Sequence, residues 1–226
     1  MNTRTSQLLL LIAMLGLLFV PGCFRFKGSY TAIEGSGVAK TEARTVGDFS
    51  QIEVGNAMQL QVHLGEKTAV EVTGDDNLVP LVQTKVAGDK LEISFDGSYS
   101  SKIGIVIKVT APKLTGLSAS GASTITATDL KGSQLTLKLS GASSGTVMGK
   151  VDALGVECSG ASKLLGKELA AKSAKVNTSG ASQAEVNVSD QLEATASGAS
   201  SVRYTGNPKK VLPNATGASN VKELSP

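Results

Sequence analysis

Apolar and polar residues alternate with a period of two over short stretches along most of the chain. Between residues 41 and 118 the alternation appears in FSQIEV, MQLQVHL, AVEV, LEISF and IGIVIKV, and turn-forming segments such as TGDDN and AGD separate these stretches. Beyond residue 118 it continues in LTLKL, LGVEC, AKVNT, LEATA and VLPNA. Because successive side chains of a strand point to opposite faces, each stretch predicts a β-strand with one buried face. The segment DDNLVPLV predicts a short helical turn.

A tetrapeptide, SGAS, recurs through the second half of the chain and ends as TGAS. Its glycines are 20, 19, 20, 18 and 19 residues apart. The first three residues of the six copies are Ser120, Gly121, Ala122, Ser140, Gly141, Ala142, Ser159, Gly160, Ala161, Ser179, Gly180, Ala181, Ser197, Gly198, Ala199, Thr216, Gly217 and Ala218. A strand precedes most copies, and an apolar residue follows at a fixed distance, as at Ile125 and Leu164. A regular period of this length predicts a stacked-repeat fold.

Strands in a repeat of about 19 residues predict an all-β fold, a parallel β-helix whose coils stack ~4.8 Å apart. SGAS then marks a corner of every coil. Glycine permits unusual backbone dihedrals there, and we expect the alanine of each copy, from Ala122 to Ala218, to fill a narrow inner corner. We expect the hydroxyl groups to bond to neighbouring backbone.

The repeat also predicts which residues become neighbours in adjacent coils. Cys158 is expected to be buried between Leu139 and Thr178. Two outward pairs of opposite charge, Lys138 with Glu157 and Lys175 with Glu193, are expected on the surface, where each contributes about 0.2–1 kcal/mol.

The start of the chain has the features of an export signal. Arg4 precedes an apolar run of 13 residues, Leu8–Val20, which is too short to span ~30 Å of hydrocarbon. The following VPGC resembles the bacterial lipobox. This resemblance implies cleavage after Gly22, lipid attachment to Cys23 and, from Phe24, an outer-membrane location in a Gram-negative host. An ordinary signal peptide or an anchor helix is the alternative.

The domain organisation follows from these segments. We expect a signal peptide at 1–22, a lipidated tether at 23–40, irregular N-terminal β coils at 41–118 and the regular repeat at 119–226, with 41–226 forming one continuous domain. A separate β-sandwich in the N-terminal half is the alternative.

Composition and charge exclude several classes of function. The net charge is +3, and no basic cluster contains interleaved aromatics, so nucleic acid is not an expected partner. The chain has a single histidine, His63, whereas metal cages and Ser-His-Asp triads normally need histidine. We therefore expect no cofactor and no metal site.

Four groups of residues were candidates for chemistry, and none predicts a site. Gly141–Gly145 matches the hydrolase motif G-x-S-x-G but lies at a repeat corner rather than between a strand and a helix. His63 lies at an outward-facing position of its strand, so we expect it to be exposed to solvent. Asp75, Asp76 and Asn77 predict an Asx-rich turn rather than a calcium loop. A carbohydrate-active site would require four scattered residues to meet in one cleft: Asp129, Asp152, Glu168 and Arg203.

The ordered motifs resemble a known family. GSGVAKTEARTVGDFSQIEV, then GDDNLVPLVQTKVAGDKLEI, then repeated SGAS are similar to the bacterial GIN domain, described as the head of autotransporter adhesins. The likeness covers residues 35 to about 219. It implies a right-handed parallel β-helix exported to the cell envelope, and it supplies no catalytic residues.

Three functions remain open at this stage. The first is a non-enzymatic, lipid-anchored envelope protein that binds a polysaccharide or protein ligand. The second is an assembly protein that forms homo-oligomers through the end of the solenoid. The third is a carbohydrate-active enzyme.

Overall fold

The computed structural model describes residues 32–224. The signal peptide, Cys23 and the first part of the tether lie outside the described residues. The strands are β1 (Ile33–Glu34), β2 (Ala39–Arg44), β3 (Gln51–Val54), β4 (Gln59–Leu64), β5 (Ala69–Asp75), β6 (Val82–Ala87), β7 (Lys90–Phe95), β8 (Tyr99–Ser100), β9 (Val106–Ala111), β10 (Gly116–Ala119), β11 (Thr124–Leu139), β12 (Ser144–Cys158), β13 (Lys163–Thr178), β14 (Gln183–Ala196), β15 (Ser201–Thr205), β16 (Lys210–Ala215) and β17 (Asn220–Glu223). A 3-10 turn covers Val79–Leu81, which confirms the short helical turn.

The strands form two sheets, which are joined through the long bent strands β11–β14. Sheet 1 runs β6, β7, β3, β10, then the C-terminal halves of β11–β14, then β16. Sheet 2 runs β2, β5, β9, β4, then the N-terminal halves of β11–β14, then β15 and β17. Because the long strands pair in parallel, the chain winds as a β-solenoid of about five turns, as the sequence predicted.

Each long strand turns from sheet 2 into sheet 1 at a bend near its middle. Asp129 has a left-handed φ of 58° and Gly149 a φ of 137°. A Cβ atom on Gly149 would lie 2.1 Å from the carbonyl oxygen of Leu130 in the coil below, so glycine is required there. The pairing register shifts at this bend, for example between Ala127 and Leu130.

A single hydrophobic core runs along the solenoid axis from Phe49 to Val202. Cys158 is buried and pairs with Leu139 on one side and Thr178 on the other. The predicted register of the regular coils is therefore confirmed.

The outward pairs confirm the same register. Lys138 Nζ lies 3.0 Å from Glu157 Oε2, and Lys175 Nζ lies 2.7 Å from Glu193 Oε1. All four side chains are about half exposed, so the pairs contribute little to stability.

The SGAS and TGAS copies lie at the turn that leads from sheet 1 back into sheet 2. Their glycines have left-handed φ values between 67° and 74°. They also stack closely, since a Cβ atom on Gly160 would lie 2.6 Å from the carbonyl oxygen of Gly141. The N–H of Ala161 donates to that same oxygen at 2.8 Å. Glycine is thus needed both for its conformation and for the space it leaves.

The expectation that the alanine fills the inner corner is wrong. Ala122, Ala142, Ala161, Ala181, Ala199 and Ala218 are all exposed. The buried residue is the serine that follows, and Ser123, Ser143, Ser162, Ser182 and Ser200 are at most 1% exposed. The reason is the phase of the next strand: Ser162 precedes buried Leu164 by two residues and therefore points the same way.

Four of the five buried serines, Ser143, Ser162, Ser182 and Ser200, form hydrogen bonds to the backbone of the preceding coil. Ser162 Oγ donates to the carbonyl oxygen of Leu139 at 3.1 Å, and Ser182 Oγ donates to that of Cys158 at 3.0 Å. These bonds offset the cost of burying the four hydroxyl groups, whereas Ser123 Oγ has no partner within residues 32–224.

The N-terminal half stacks directly on the regular coils and is not a separate sandwich. β10 pairs in parallel with both β3 and β11, and β4 pairs in parallel with β9 and β11. Its outermost strands are antiparallel, however: β2 with β5, β5 with β9, and β6 with β7. These antiparallel, hairpin-like pairings close the N-terminal end, a feature that the predicted irregular coils at 41–118 did not include.

The expected boundary of the tether at residue 40 is also wrong. Ile33–Glu34 pairs with Tyr99–Ser100, and β2 begins at Ala39. Residues 33–40 therefore belong to the folded body, because their backbone bonds to it.

Candidate binding surfaces

A shallow groove of about 370 Å³ crosses the outer surface of sheet 1. It forms where Ala153 and Gly155 in β12 carry small or no side chains, while the coils on either side carry larger ones. Its polar lining comes from Gln134, Ser173, Lys175, Gln191 and Glu193. The register aligns these residues in two outward columns, so the groove lies across several coils.

The groove combines apolar floor residues with polar groups whose charges balance. The ion pair between Lys175 and Glu193 borders it, and the remaining polar groups are amides and a hydroxyl. Tyr204 is the only aromatic residue in the regular repeat, and it lies in β15 of sheet 2. The groove therefore suits hydrogen bonding to a polar ligand and offers no aromatic platform for stacking a sugar ring.

A second depression of about 230 Å³ lies on the outer surface of sheet 2. Thr146, Leu165, Lys167, Glu168 and Glu185 line it. It is smaller than the groove on sheet 1, and exposed Leu165 makes it less polar.

The four residues considered for carbohydrate chemistry do not line one common cleft, although Glu168 lines the depression on sheet 2 together with Glu185, the ion-pair partner of Arg203. Asp152 pairs with Lys172 at 2.7 Å, and Arg203 lies 3.7 Å from Glu185. Asp129 occupies the left-handed bend of β11, and Glu168 borders the depression on sheet 2. Within residues 32–224, no group of three or more His, Cys, Asp or Glu side chains is placed to hold a metal ion.

Three further side chains that could be reactive, those of Ser143, His63 and Cys158, do not form a reactive site. Ser143 of the G-x-S-x-G match is 1% exposed, and its Oγ donates to the Ala119 carbonyl oxygen at 3.3 Å, so it faces the core rather than a substrate. His63 is exposed on β4, with Nε2 2.9 Å from Thr110 Oγ1. Burial raises the pKa of the Cys158 thiol to about 11, despite a hydrogen bond with Ser162 that acts the other way. The thiol thus stays protonated and unreactive.

Asp75, Asp76 and Asn77 do form a turn, and their side chains also bind an earlier segment of the chain, which the pattern of these three residues alone did not indicate. Each accepts a hydrogen bond from the segment Ser36–Gly37. The signal lay in the GSG at 35–37, because two glycines around one serine permit close approach to another chain segment.

The last coil, formed by β16 and β17, leaves inward positions uncovered. Pro213 and Ala215 pair with Ala194 and Ala196 of β14. The two β14 residues are fully buried, whereas Pro213 and Ala215 are exposed. Among the described residues, β16 pairs with β14 alone, so residues 32–224 leave the other edge of β16 unpaired.

Proline suits the open edge of β16. The N–H of Thr216 donates to the carbonyl oxygen of Ala196 at 3.0 Å. Backbone groups alternate in direction along a strand, so position 213 directs its backbone towards the open side. Pro213 has no N–H to offer there, and a strand-edge proline hinders pairing with another strand.

Stacked coils, a glycine corner in each and a polar outer surface together define a parallel β-solenoid. The chain belongs to the family described as "Putative auto-transporter adhesin, head GIN domain", whose model matches residues 48–208. The resemblance seen in the sequence motifs is thereby confirmed. No curated protein matches the chain significantly.

Solved structures share the fold. A protein described as a putative adhesin from Bacteroides fragilis NCTC 9343 superposes with a TM-score of 0.71 at 20% identity, covering 85% of this chain and 100% of its own. A putative adhesin from Parabacteroides merdae ATCC 43184 gives 0.55 at 21% identity, with 86% and 99% covered. A putative lipid binding protein from Parabacteroides distasonis ATCC 8503 gives 0.52 at 18% identity, with 86% and 100% covered.

In residues 32–224 there is no helix with the length and apolar character needed to span a bilayer.

Proposed function

We propose that this protein is a non-enzymatic, lipid-anchored protein of the cell envelope, carried on the outer membrane through Cys23, and that the outer surface of its solenoid binds a polar polymer. The single observation that carries the binding role is the groove on sheet 1, which crosses several coils and presents amides, a hydroxyl and an ion pair. The family description and the neighbours described as adhesins support the same class of function.

The chemistry of the groove favours a polysaccharide or an extended peptide over a small apolar ligand. Its groups can donate and accept hydrogen bonds, and its floor at Gly155 allows a chain to approach the backbone closely. Ser143 and Cys158 face the core, which supports a role in binding rather than in nucleophilic catalysis.

A binding array of glycans and matrix proteins tests this proposal on the full chain, as the cell processes it. The informative variant is Gly155→Arg. The new Cβ atom would lie 3.5 Å from Thr136 Oγ1, so the larger side chain is expected to fill the groove without disturbing the coil. Gln183→Arg on the exposed surface of sheet 2 is the matched control, because it adds the same charge elsewhere.

A ligand bound by the wild type and by Gln183→Arg, but lost with Gly155→Arg, supports the groove as the site. Binding that survives Gly155→Arg contradicts the groove, and an array without any hit contradicts the binding role. Labelling with radioactive palmitate, in the wild type and in Cys23→Ala, tests the lipid anchor separately.

Self-association is a second candidate function, favoured by the uncovered inward positions of the last coil. Pro213, Ala215 and half-buried Val221 offer an apolar surface to a second copy of the chain. Because Pro213 hinders strand pairing, such a contact forms by packing. A light-scattering mass that rises with concentration supports it, and Ala215→Glu is expected to abolish the rise. A constant monomer mass contradicts it.

A further inference from the structure

Residues 33–38, called the strap below, lie near the start of the described residues, on the C-terminal side of Cys23 in the sequence. The strap has little regular structure of its own. β1 is only two residues long and pairs with β8. The N–H groups of Ile33 and Gly35 donate to the carbonyl oxygens of Ser98 and Ser100 at 2.9 and 2.8 Å. So short a ladder would fray readily without further contacts.

A buried carboxylate supplies the main further contact. Asp75 is 0% exposed, and its Oδ1 accepts the N–H of Gly37 at 2.6 Å. Its Oδ2 accepts the hydroxyl of Ser101 at 2.5 Å and the N–H of Lys102 at 3.2 Å. One side chain therefore holds together the strap, the end of β5 and the loop after β8.

The two residues after Asp75 extend this contact, and Asp75, Asp76 and Asn77 are called the clasp below. Ser36 Oγ donates to Asp76 Oδ1 at 2.5 Å, and Ser36 N–H donates to Asn77 Oδ1 at 2.9 Å. Asn77 Nδ2 donates back to the Glu34 carbonyl oxygen at 2.8 Å. The Asp76 N–H donates to the Val38 carbonyl oxygen, also at 2.8 Å. Every residue of the clasp thus bonds to the strap.

The strap is shaped for this contact. A Cβ atom on Gly35 would lie 2.5 Å from Asp75 Cγ, and Gly37 has a left-handed φ of 85°. Any larger residue at position 35 would displace the carboxylate. The clasp oxygens already accept N–H and O–H groups, so the cluster is a lock between chain segments rather than an empty cation site.

We propose that the clasp makes the strap a rigid junction between the membrane-anchored chain and the solenoid body. This proposal rests on the proposed lipid anchor at Cys23. Beyond the strap lies β2, an edge strand whose one partner within residues 32–224 is β5. A pull on the anchored chain would act on β1 first and then peel β2 from β5. The residues bonded to the clasp lie between β1 and β2 in the chain, so the clasp bonds would have to break before β2 could separate from β5.

Opening of the clasp has a local consequence. The strap and β2 would become mobile, and the edge of β5 would lose its cover, while the regular coils would keep their own ladders and core. The clasp thereby sets a fixed point from which the body leaves the membrane surface.

Hydrogen exchange on the full chain tests the proposal with Asp75→Asn. Asparagine keeps the shape of the side chain, but it replaces one acceptor oxygen by a donor NH₂ group that faces donors. We expect the amides of residues 33–44 to exchange about tenfold faster or more, while those of residues 163–178 are unchanged. Asp190→Asn is the matched control, because Asp190 pairs with Lys209 at 3.0 Å on the last coils, far from the strap along the chain.

A second variant distinguishes local opening of the strap from global unfolding. Asn77→Ala removes two exposed bonds and leaves buried Asp75 in place, so the fold is expected to persist while residues 33–38 exchange faster. Unchanged exchange of residues 33–44 in both variants overturns the rigid junction. Faster exchange in a chain that carries no lipid at Cys23 retains the junction and overturns only its link to the anchor.

Discussion

At the scale of single residues, substitution of the corner glycine is expected to destabilise the fold strongly, whereas substitution of the corner alanine is expected to have little effect. Gly160→Ala places a Cβ atom 2.6 Å from the Gly141 carbonyl oxygen at a left-handed φ of 69°. We expect a loss of about 2–4 kcal/mol in the free energy of unfolding. Ala161→Leu, on the exposed neighbour, is expected to stay within about 0.5 kcal/mol. Denaturant titration of both variants measures the difference, and equal losses would contradict the orientation of the corner.

The column of buried serines gives a second contrast. Ser182 Oγ lies 3.0 and 2.8 Å from the carbonyl oxygens of Cys158 and Ser179 and can donate its one proton to either, so Ser182→Ala is expected to cost about 1 kcal/mol. Ser123 Oγ is buried and has no hydrogen-bond partner among the described residues. Ser123→Ala removes an unpaired polar group and is expected to be neutral or to stabilise by about 1 kcal/mol. Melting temperatures would show opposite shifts, and equal destabilisation would refute the assignment.

The charge on Asp75 predicts a dependence on pH. The Ser101 hydroxyl, joined by the N–H groups of Gly37, Ile103 and Lys102, holds the pKa of the carboxyl group below its usual value of 3.8, although burial acts the other way. A lowered pKa means that the clasp stabilises the fold fully above about pH 4 and loses its contribution as the pH falls through the folded-state pKa.

The test is the melting temperature of the wild type and of Asp75→Asn across pH 3–7. We expect a constant difference at pH 5–7 that narrows below about pH 4. Asp76 and Lys102 lie nearby and are identical in the two proteins. A difference that does not change with pH would show that the charge of Asp75 is not what holds the strap.

The orientation of the corner shows what the sequence could and could not predict at this scale. Four small residues carry no contrast in hydrophobicity, so an inward alanine looked as reasonable as an inward serine. The signal was nevertheless present, because Ser123 has the phase of Ile125, and both are buried. The strand that follows the corner has a buried residue at position 125. Extending its alternation two residues towards the N-terminus predicts that Ser123 faces inward.

At the scale of elements, we expect Pro213 to hinder the pairing of another strand with the edge of β16. Pro213→Val restores an N–H that points to the open edge and adds a β-branched residue that favours strands. We expect this variant to associate at concentrations at which the wild type is less associated, measured by light scattering. Leu212→Val, a neighbouring change in the same strand, is the control. An unchanged mass for Pro213→Val would contradict this role of Pro213.

The strands themselves were predicted well, but their direction was not. A period of two follows from burial of one face, and it is the same in parallel and antiparallel sheets. The regular step between copies revealed the parallel stacking from β11 onwards. Between residues 41 and 118 no such step exists, so the antiparallel closure by β2, β5 and β9 could not be predicted.

At the scale of the whole molecule, the two ends of the solenoid differ. Antiparallel pairs and the clasp close the end near the proposed anchor, whereas the opposite end shows uncovered inward positions. The groove on sheet 1 lies between them. Its columns follow from the predicted register, but its depth depends on how Ala153 and Gly155 meet their larger neighbours, and only the folded arrangement reveals that.

The bend between the sheets gives the solenoid a place where coils of different length are tolerated. Adjacent coils pair at an offset of 20 residues at Ala127 and of 19 at Leu130, and the offset falls from 20 at Gly166 to 17 at Ala170. Differences in coil length are thus absorbed at the bend, while corners and strands stay aligned. Evolution or an engineer could lengthen the chain at this bend and display new peptides at intervals of one coil along the scaffold.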